Sequence, residues 1–523
     1  MTTGKAGKRE WIGLAVIALP CLLYSMDLTV LHLAVPRLTE DLAPSSTQLL
    51  WIIDIYGFLV AGCLIAAGTL GDRIGRRRLL LIGAAMFGVA SVLAAFSRSA
   101  EMLIATRAIL GIAGATVAPS TLSLIRNMFH DAHQRTVAIS VWITSYSLGG
   151  AIGPLIGGAL LEYFWWGSVF LISVPVMLLL LIVGPRLLPE YRDPNAGNPD
   201  LVSVAMSLSA VLTTIYGLKE IAQDGVTITA MLSIAAGLTL GVLFVRRQLS
   251  LDDPLIDLRL FQTPAFAASL ATYGLTILML FGGFFFLPQY LQLILGLSPF
   301  QAGLWMLPWM LAFIIGSLVT PRLARHVRPS RLMGWGLALS AIGLAMVASI
   351  GPHTTPLYFA IATFVFSIGS SPVFTLTTDL ILGSAPPERA GAASGLSETS
   401  AEFGGALGIA LFGSIGVAVY RSMLGDAIPP SVSPEVAESV KATLGGALST
   451  ASELPAEVGA VVSEAARAAF MRGLRVCVAI SAVGSVALAV FAGLTLRNVR
   501  PASEREAAEE EDAGQQAASP AAS

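Results

Sequence analysis

Charge is what this sequence is short of. Only 12% of its 523 residues are Asp, Glu, Lys or Arg, while 55% are hydrophobic and the mean hydropathy is +0.76. An ordinary soluble domain carries about 25% charged residues, so a soluble enzyme is excluded. Lysine is nearly missing, four residues against 27 arginines, and the net charge of −2 offers nucleic acid no electrostatic footprint. The surplus of arginine, alanine and glycine is the bias of a GC-rich genome. The three cysteines, Cys21, Cys63 and Cys477, fall in apolar runs without metal or disulfide spacing, so no metal site is expected. No G-x-x-x-x-G-K-[ST] loop occurs, which argues against direct ATP hydrolysis. Nothing at the N-terminus resembles a cleavable signal, because the first apolar stretch is too long and no small-residue cleavage site follows it; it is expected to stay as a span.

Long apolar runs are what the chain has in place of charge. A helix needs about 20 apolar residues to cross the hydrocarbon core of a bilayer. Fourteen segments come close: 11–35, 49–70, 79–96, 102–125, 137–163, 166–188, 201–218, 226–245, 265–295, 299–319, 332–350, 357–383, 391–419 and 476–496. An even number puts both termini on one side. With that side cytoplasmic, the inner segments carry 22 lysines and arginines and the outer ones eight, with Arg107 inside a span. This is the bias of the positive-inside rule. Residues 420–470, between the last two spans, are alanine-rich with scattered acids and predict a helical or hairpin-like extracellular insert. The polar end, 497–523, predicts a disordered cytoplasmic tail.

Three loops and helix faces carry spaced signatures. After the second span comes GTLGDRIGRRR, with Gly68, Asp72, Arg73, Gly75 and Arg76 in a tight cytoplasmic turn. A positive-inside anchor would explain the arginines alone. The spacing resembles the G-x-L-a-D-R-x-G-R-[KR] loop of major facilitator superfamily transporters, where the acid caps a neighbouring helix and the arginines pair with helix ends in a latch between the two halves. In the fourth span Arg107 precedes Gly111 and Gly114, similar to that family's intramembrane arginine motif. In the fifth, Gly149, Gly153 and Gly157 share one helix face, beside Pro154 and Gly158. Such a face lets another backbone approach closely. As G-x-x-x-G-P-x-x-G-G it also resembles the motif of the superfamily's antiporters.

The resemblance covers the whole chain and points to the proton-coupled fourteen-span multidrug exporters of the QacA, SmvA and LfrA type. It implies an all-α polytopic membrane protein with the major facilitator fold. Two six-helix bundles, 11–188 and 265–496, would flank two extra spans within 189–264. It further implies a monomer in the cytoplasmic membrane with no cofactor and no enzymatic activity, moving lipophilic substrates and protons across the bilayer.

Ionisable residues inside a bilayer cost a few kcal/mol each, roughly, and are functional candidates by default. Asp27, Asp54 and Arg107 fall at similar depths near the outer surface, and the resemblance implies that the first, second and fourth spans lie together, so that Asp27 can pair with Arg107 or share a proton with Asp54. A structural ion pair, or for Asp54 a hydrated interfacial acid, is the alternative. Glu398 and Glu402 share a face of span 13, about 10 and 16 Å from its inner end, as a cation site or proton carrier needs. In the resembling pumps this span carries acids implicated in recognising substrate charge; a third acid of some members is Ser397 here, which weakens the case for divalent cations. Asp379, at the inner end of span 12, could bind a proton or substrate, or contact the inner latch. Phe285 in FGGFFFLPQY, Trp305, Trp309 and Tyr56 offer stacking and cation–π surfaces, although phenylalanines facing lipid or other helices would read the same. The expectation is proton-coupled efflux of hydrophobic cationic drugs or antiseptics, with Asp27, Asp54, Arg107 and Asp379 in proton coupling. The alternative is a dedicated exporter of an endogenous antibiotic, siderophore or other metabolite. The glycine-proline motif argues against an uptake symporter, and a receptor or channel needs neither latch nor inverted halves.

Overall fold

Backbone polar groups in a bilayer must be paired within the chain, so each apolar run closes its hydrogen bonds as a helix. The computed structural model describes residues 6–192, 200–251, 254–256, 258–384, 390–425, 427–430, 432–497 and 499. Among these, fourteen helices are long and apolar enough to span a membrane. In chain order they are spans 1 (Lys8–Leu42), 2 (Ser46–Ile74), 3 (Arg76–Ala95), 4 (Ala100–Met128), 5 (Val137–Tyr163), 6 (Ser168–Leu187) and 7 (Leu201–Asp224). Then come 8 (Ile228–Ser250), 9 (Pro264–Ile294), 10 (Pro299–Ala324), 11 (Pro329–Ala348), 12 (Pro356–Gly383), 13 (Ala393–Gly425) and 14 (Ala456–Thr495). Each coincides with one expected segment. The loop holding Arg389 and nearly all of the expected polar tail lie outside the described residues.

Two ends differ from expectation. Span 7, expected to stop at 218, continues to Asp224 and so takes Lys219 into the helix. The last span, expected from 476, begins at Ala456, because the alanine-rich end of the insert is a strong helix former with its own buried face of Val462, Ala466 and Phe470. The rest of the insert forms two short helices, Pro434–Ala442 and Leu444–Glu453, capped by the side chains of Ser433 and Thr443. These helices sit on the outer ends of the spans: Tyr420 donates to the Val440 carbonyl at 3.1 Å, Ser46 donates to that of Ala442, and Val440, Leu444 and Ala447 are buried.

The glycine face of span 5 lies on span 1. A Cβ at Gly149 would run into the Leu22 carbonyl, one at Gly153 into Thr29, and one at Gly157 would come 2.6 Å from Val30. The neighbouring Pro154 and Gly158 face span 10 instead, where their backbones approach Gly303 and Pro299. Span 5 is therefore wedged between span 1 of its own bundle and span 10 of the other. Spans 2 and 13 form the second crossing, with Gly57 against Ala406 and Gly413 against Leu50. These contacts lie towards the ends of the spans that the insert helices cover. The two halves are thus in contact at the end of the molecule that carries the insert helices. Spans 7 and 8 pack on each other, and span 7 packs against spans 2 and 13, with Phe58, Ile215, Ala406 and Ala410 in one apolar cluster.

Gly149→Val places methyls where the Leu22 backbone now lies. We expect it to destabilise the folded protein by about 1–3 kcal/mol, seen as a lower thermal midpoint of the detergent-solubilised protein, with Gly150→Val less harmful.

Candidate functional site

Arg107, on the outer half of span 4, is only 1% exposed. A guanidinium so placed needs acceptors within the protein, and it finds two. Its Nη1 donates to Asp27 on span 1, and its Nε donates to the Ile52 carbonyl of span 2 at 3.1 Å. The ring of Tyr56 lies 4.6 Å away against its plane, a cation–π contact that leaves the buried Tyr56 hydroxyl without a hydrogen-bond partner among the described residues. Spans 1, 2 and 4 are thus joined by one charge.

Asp54 does not share a proton with Asp27, nor is it a hydrated interfacial acid. Its carboxylate is fully buried and held by Lys219 of span 7, whose ammonium lies 2.9 and 2.7 Å from the two oxygens. The same ammonium sits 3.6 Å from the centre of the Trp51 ring. An expected span 7 of 201–218 ends one residue before Lys219 and so leaves it in a loop, whereas the helix runs on to Asp224. The usable signal was its rarity, one of four lysines in the chain.

A cavity of about 220 Å³ lies between the halves, with Asp54 and Arg107 on one side and Glu402, Tyr273, Phe281 and Phe374 on the other. Glu402 accepts a 2.6 Å hydrogen bond from Tyr24 of span 1, so one carboxylate of span 13 is bonded across the seam. Glu398, one turn before it on span 13, is exposed to solvent although protein surrounds it, and it interacts electrostatically with Tyr146 and Tyr273. His32 also lines the cavity, 2% exposed, with its ring edge-on to Phe284 and its Nδ1 without a hydrogen-bond partner among the described residues. It is an ionisable residue in an apolar run that the sequence reading passed over, as it passed over Tyr24.

The aromatic expectation needs correction. Phe285 is buried against His32 and Phe286, Trp309 packs on Phe284 at 4.6 Å, and Trp305 packs on the core; none of them lines this cavity. Span 9 breaks after Phe284 and ends in a π turn at Tyr290–Ile294, which redirects the phenylalanine run. Phe281, a turn earlier, reaches the wall instead. Asp379 is exposed near the inner end of span 12 and lines no cavity described here. A second, apolar cavity of about 810 Å³ opens between spans 2, 7, 8 and 13, lined by Phe58, Leu208, Val211, Val242 and Phe403.

The GTLGDRIGRRR turn is engaged within the amino-terminal half. Asp72 does not cap a neighbouring helix but pairs with Arg76 one turn on, at 2.6 Å. Arg76 also reaches the Pro119 carbonyl of span 4, and Arg77 donates to the Leu188 carbonyl at the end of span 6 and meets Glu190 at 3.4 Å. Gly75 has φ +112°, and a Cβ there would sit 2.5 Å from the Glu190 carboxylate, so glycine is required at this corner. Arg73 is exposed and Gly68 faces Pro119 loosely.

The comparisons with known proteins agree with this architecture. The Major Facilitator Superfamily model matches residues 17–409. The multidrug efflux pump LfrA of Mycolicibacterium smegmatis is 44% identical over 497 residues, 95% of this chain and 98% of its own. The methyl viologen resistance protein SmvA of Salmonella typhimurium is 35% identical over 490 residues, 93% and 98% of the two chains. The tetracenomycin C resistance and export protein of Streptomyces glaucescens is 31% identical over 509 residues, 94% and 93%. Among solved structures, an inward-facing bacterial homolog to the human lysosomal transporter Spinster superposes with a TM-score of 0.65 at 18% identity, covering 94% of this chain and 98% of that one.

Arg107→Leu strands a largely enclosed Asp27 carboxylate and is expected to cost up to about 3 kcal/mol, the lower end for breaking a buried pair because water reaches the acid, read as a drop in thermal midpoint. Arg107→Lys should recover only part, since one ammonium cannot serve both Asp27 and Ile52, whereas Asp27→Asn with Arg107→Leu should recover more.

Proposed function

We propose that this chain, which belongs to the Major Facilitator Superfamily, is a proton-driven exporter of hydrophobic cationic drugs, acting as a monomer in the cytoplasmic membrane with both termini inside. The observation that carries this reading is the seam cavity, where Glu402 of one half is bonded to Tyr24 of the other beside the Asp27–Arg107 pair. A cationic cargo needs an acid and aromatic faces, and Glu402, Glu398, Tyr273, Phe281 and Phe374 supply both at this seam. A proton-coupled step needs an acid whose counter-charge can be exchanged, and Asp27 is our first choice, with Arg107 as the group that holds its charge when no proton does. The Asp27 side chain is 13% exposed, against 2% for Arg107, so water can reach the acid and hardly the base.

In this scheme cargo enters the inward-facing cavity from the cytoplasm or the inner leaflet, the apolar side cavity offering a route for a lipophilic molecule. Cargo and protons compete for the embedded acids, and proton entry from outside displaces cargo once the outer side opens. The names of the relatives, a multidrug efflux pump, a methyl viologen resistance protein and a tetracenomycin C resistance and export protein, support export. The third also favours a narrower reading, export of one endogenous product.

Asp27→Asn should abolish drug-dependent proton flux in proteoliposomes while ethidium still binds; intact flux would sink the assignment of Asp27. Glu402→Gln should weaken ethidium binding to purified protein at least about tenfold. No ethidium binding even to the wild-type chain would favour the narrow exporter.

A further inference from the structure

Lys219 is a buried cation that the export scheme above does not use. It projects from span 7, outside both six-helix bundles, yet its side chain is completely buried and ends at a carboxylate on the wall of the seam cavity. Its surroundings are those of a bound cation: two carboxylate oxygens of Asp54 within 3 Å and the Trp51 ring at 3.6 Å. An acid and an aromatic face are also what a cationic cargo would seek.

Charge counting gives this arrangement a consequence. Four carboxylates, Asp27, Asp54, Glu398 and Glu402, stand at the seam with two cations, Arg107 and Lys219. Arg107 answers Asp27 and Lys219 answers Asp54, which leaves the two glutamates of span 13 for cargo and protons. In a low-dielectric cavity, one unit of charge changes the binding of a cation strongly, and a dication about twice as strongly as a monocation.

We propose that Lys219 is a tethered cation, built into the Asp54–Trp51 position by the extra helix pair, and that it determines specificity by setting how much cargo charge the site accepts. It withholds Asp54 from cargo and so biases the transporter against dications. The inference rests on the export reading above.

The test compares ethidium, a monocation, with propidium, a dication, binding to the full-length detergent-purified chain by fluorescence titration, with thermal stability measured in parallel. Lys219→Met, which frees the Asp54 carboxylate, should raise propidium affinity relative to ethidium about tenfold or more. Asp54→Asn keeps the ammonium without its acid and should move the ratio the other way. Asp54→Asn with Lys219→Met removes both charges and should return the ratio to the wild-type value, although stability need not return with it. These variants give two opposite shifts and one reversal, so loss of folding in one still leaves a signed expectation in another. The same dye ratio in every folded variant, with stability alone affected, would reduce Lys219 to a structural tie and overturn the proposal. If the wild-type chain binds neither dye, the cationic export reading itself fails, and this inference with it.

Discussion

A charge inside a bilayer has to find its counter-charge within the protein, because water is not there to supply it. The packing around the seam follows from that constraint. Arg107 draws Asp27 of span 1 and the Ile52 carbonyl of span 2 onto span 4, so three helices of the amino-terminal half converge on one guanidinium. The hydrophobic effect cannot do this work between helices, since lipid tails are as apolar as the side chains they would displace. Apolar residues fill the space between spans 1, 2 and 4; the ion pair fixes which faces point inward.

Where no charge directs helix contact, shape does. The glycine face of span 5 brings its backbone against the Leu22 carbonyl of span 1, while Pro154 and Gly158 lie against Gly303 and Pro299 of span 10. One short motif thus serves two contacts, one within a half and one across the seam. Its resemblance to an antiporter signature acquires a physical content: the residues that let span 5 touch span 1 are interleaved with those that meet span 10 across the seam. The GTLGDRIGRRR turn is bonded to spans 4 and 6 of its own half.

The number of spans could be read from hydropathy because a bilayer imposes a length on every crossing helix, and the Asp27–Arg107 partnership was open to reading because depth along a helix is nearly linear in residue number and the family resemblance implied that spans 1, 2 and 4 lie together. What stayed hidden depended on rotation and on helix ends. Asp54 looked like an acid near water because the depth estimate carries no information on what covers it; Lys219, on a helix separated from Asp54 by 165 positions, covers it completely. The phenylalanine run in FGGFFFLPQY gave no orientation, and the break after Phe284 turned Phe285 into the core and left Phe281 at the cavity. Span 14 begins early because alanine favours helix whether or not lipid surrounds it.

Span 7 touches both halves of the molecule, and its two contacts are not equivalent. Towards span 13 it offers apolar side chains, Val211, Ile215 and Leu218, to Phe403, Leu407, Ala406 and Ala410. Lipid can replace such contacts at little cost when the surfaces part. Towards span 2 it offers Lys219 to Asp54, and separating that pair would leave two opposite charges uncompensated in a low-dielectric interior. A helix held on one side by charge and on the other by grease belongs energetically to the charged side. The extra pair is therefore an appendage of the amino-terminal half that leans on the other, and it carries its own cation to the wall of the seam.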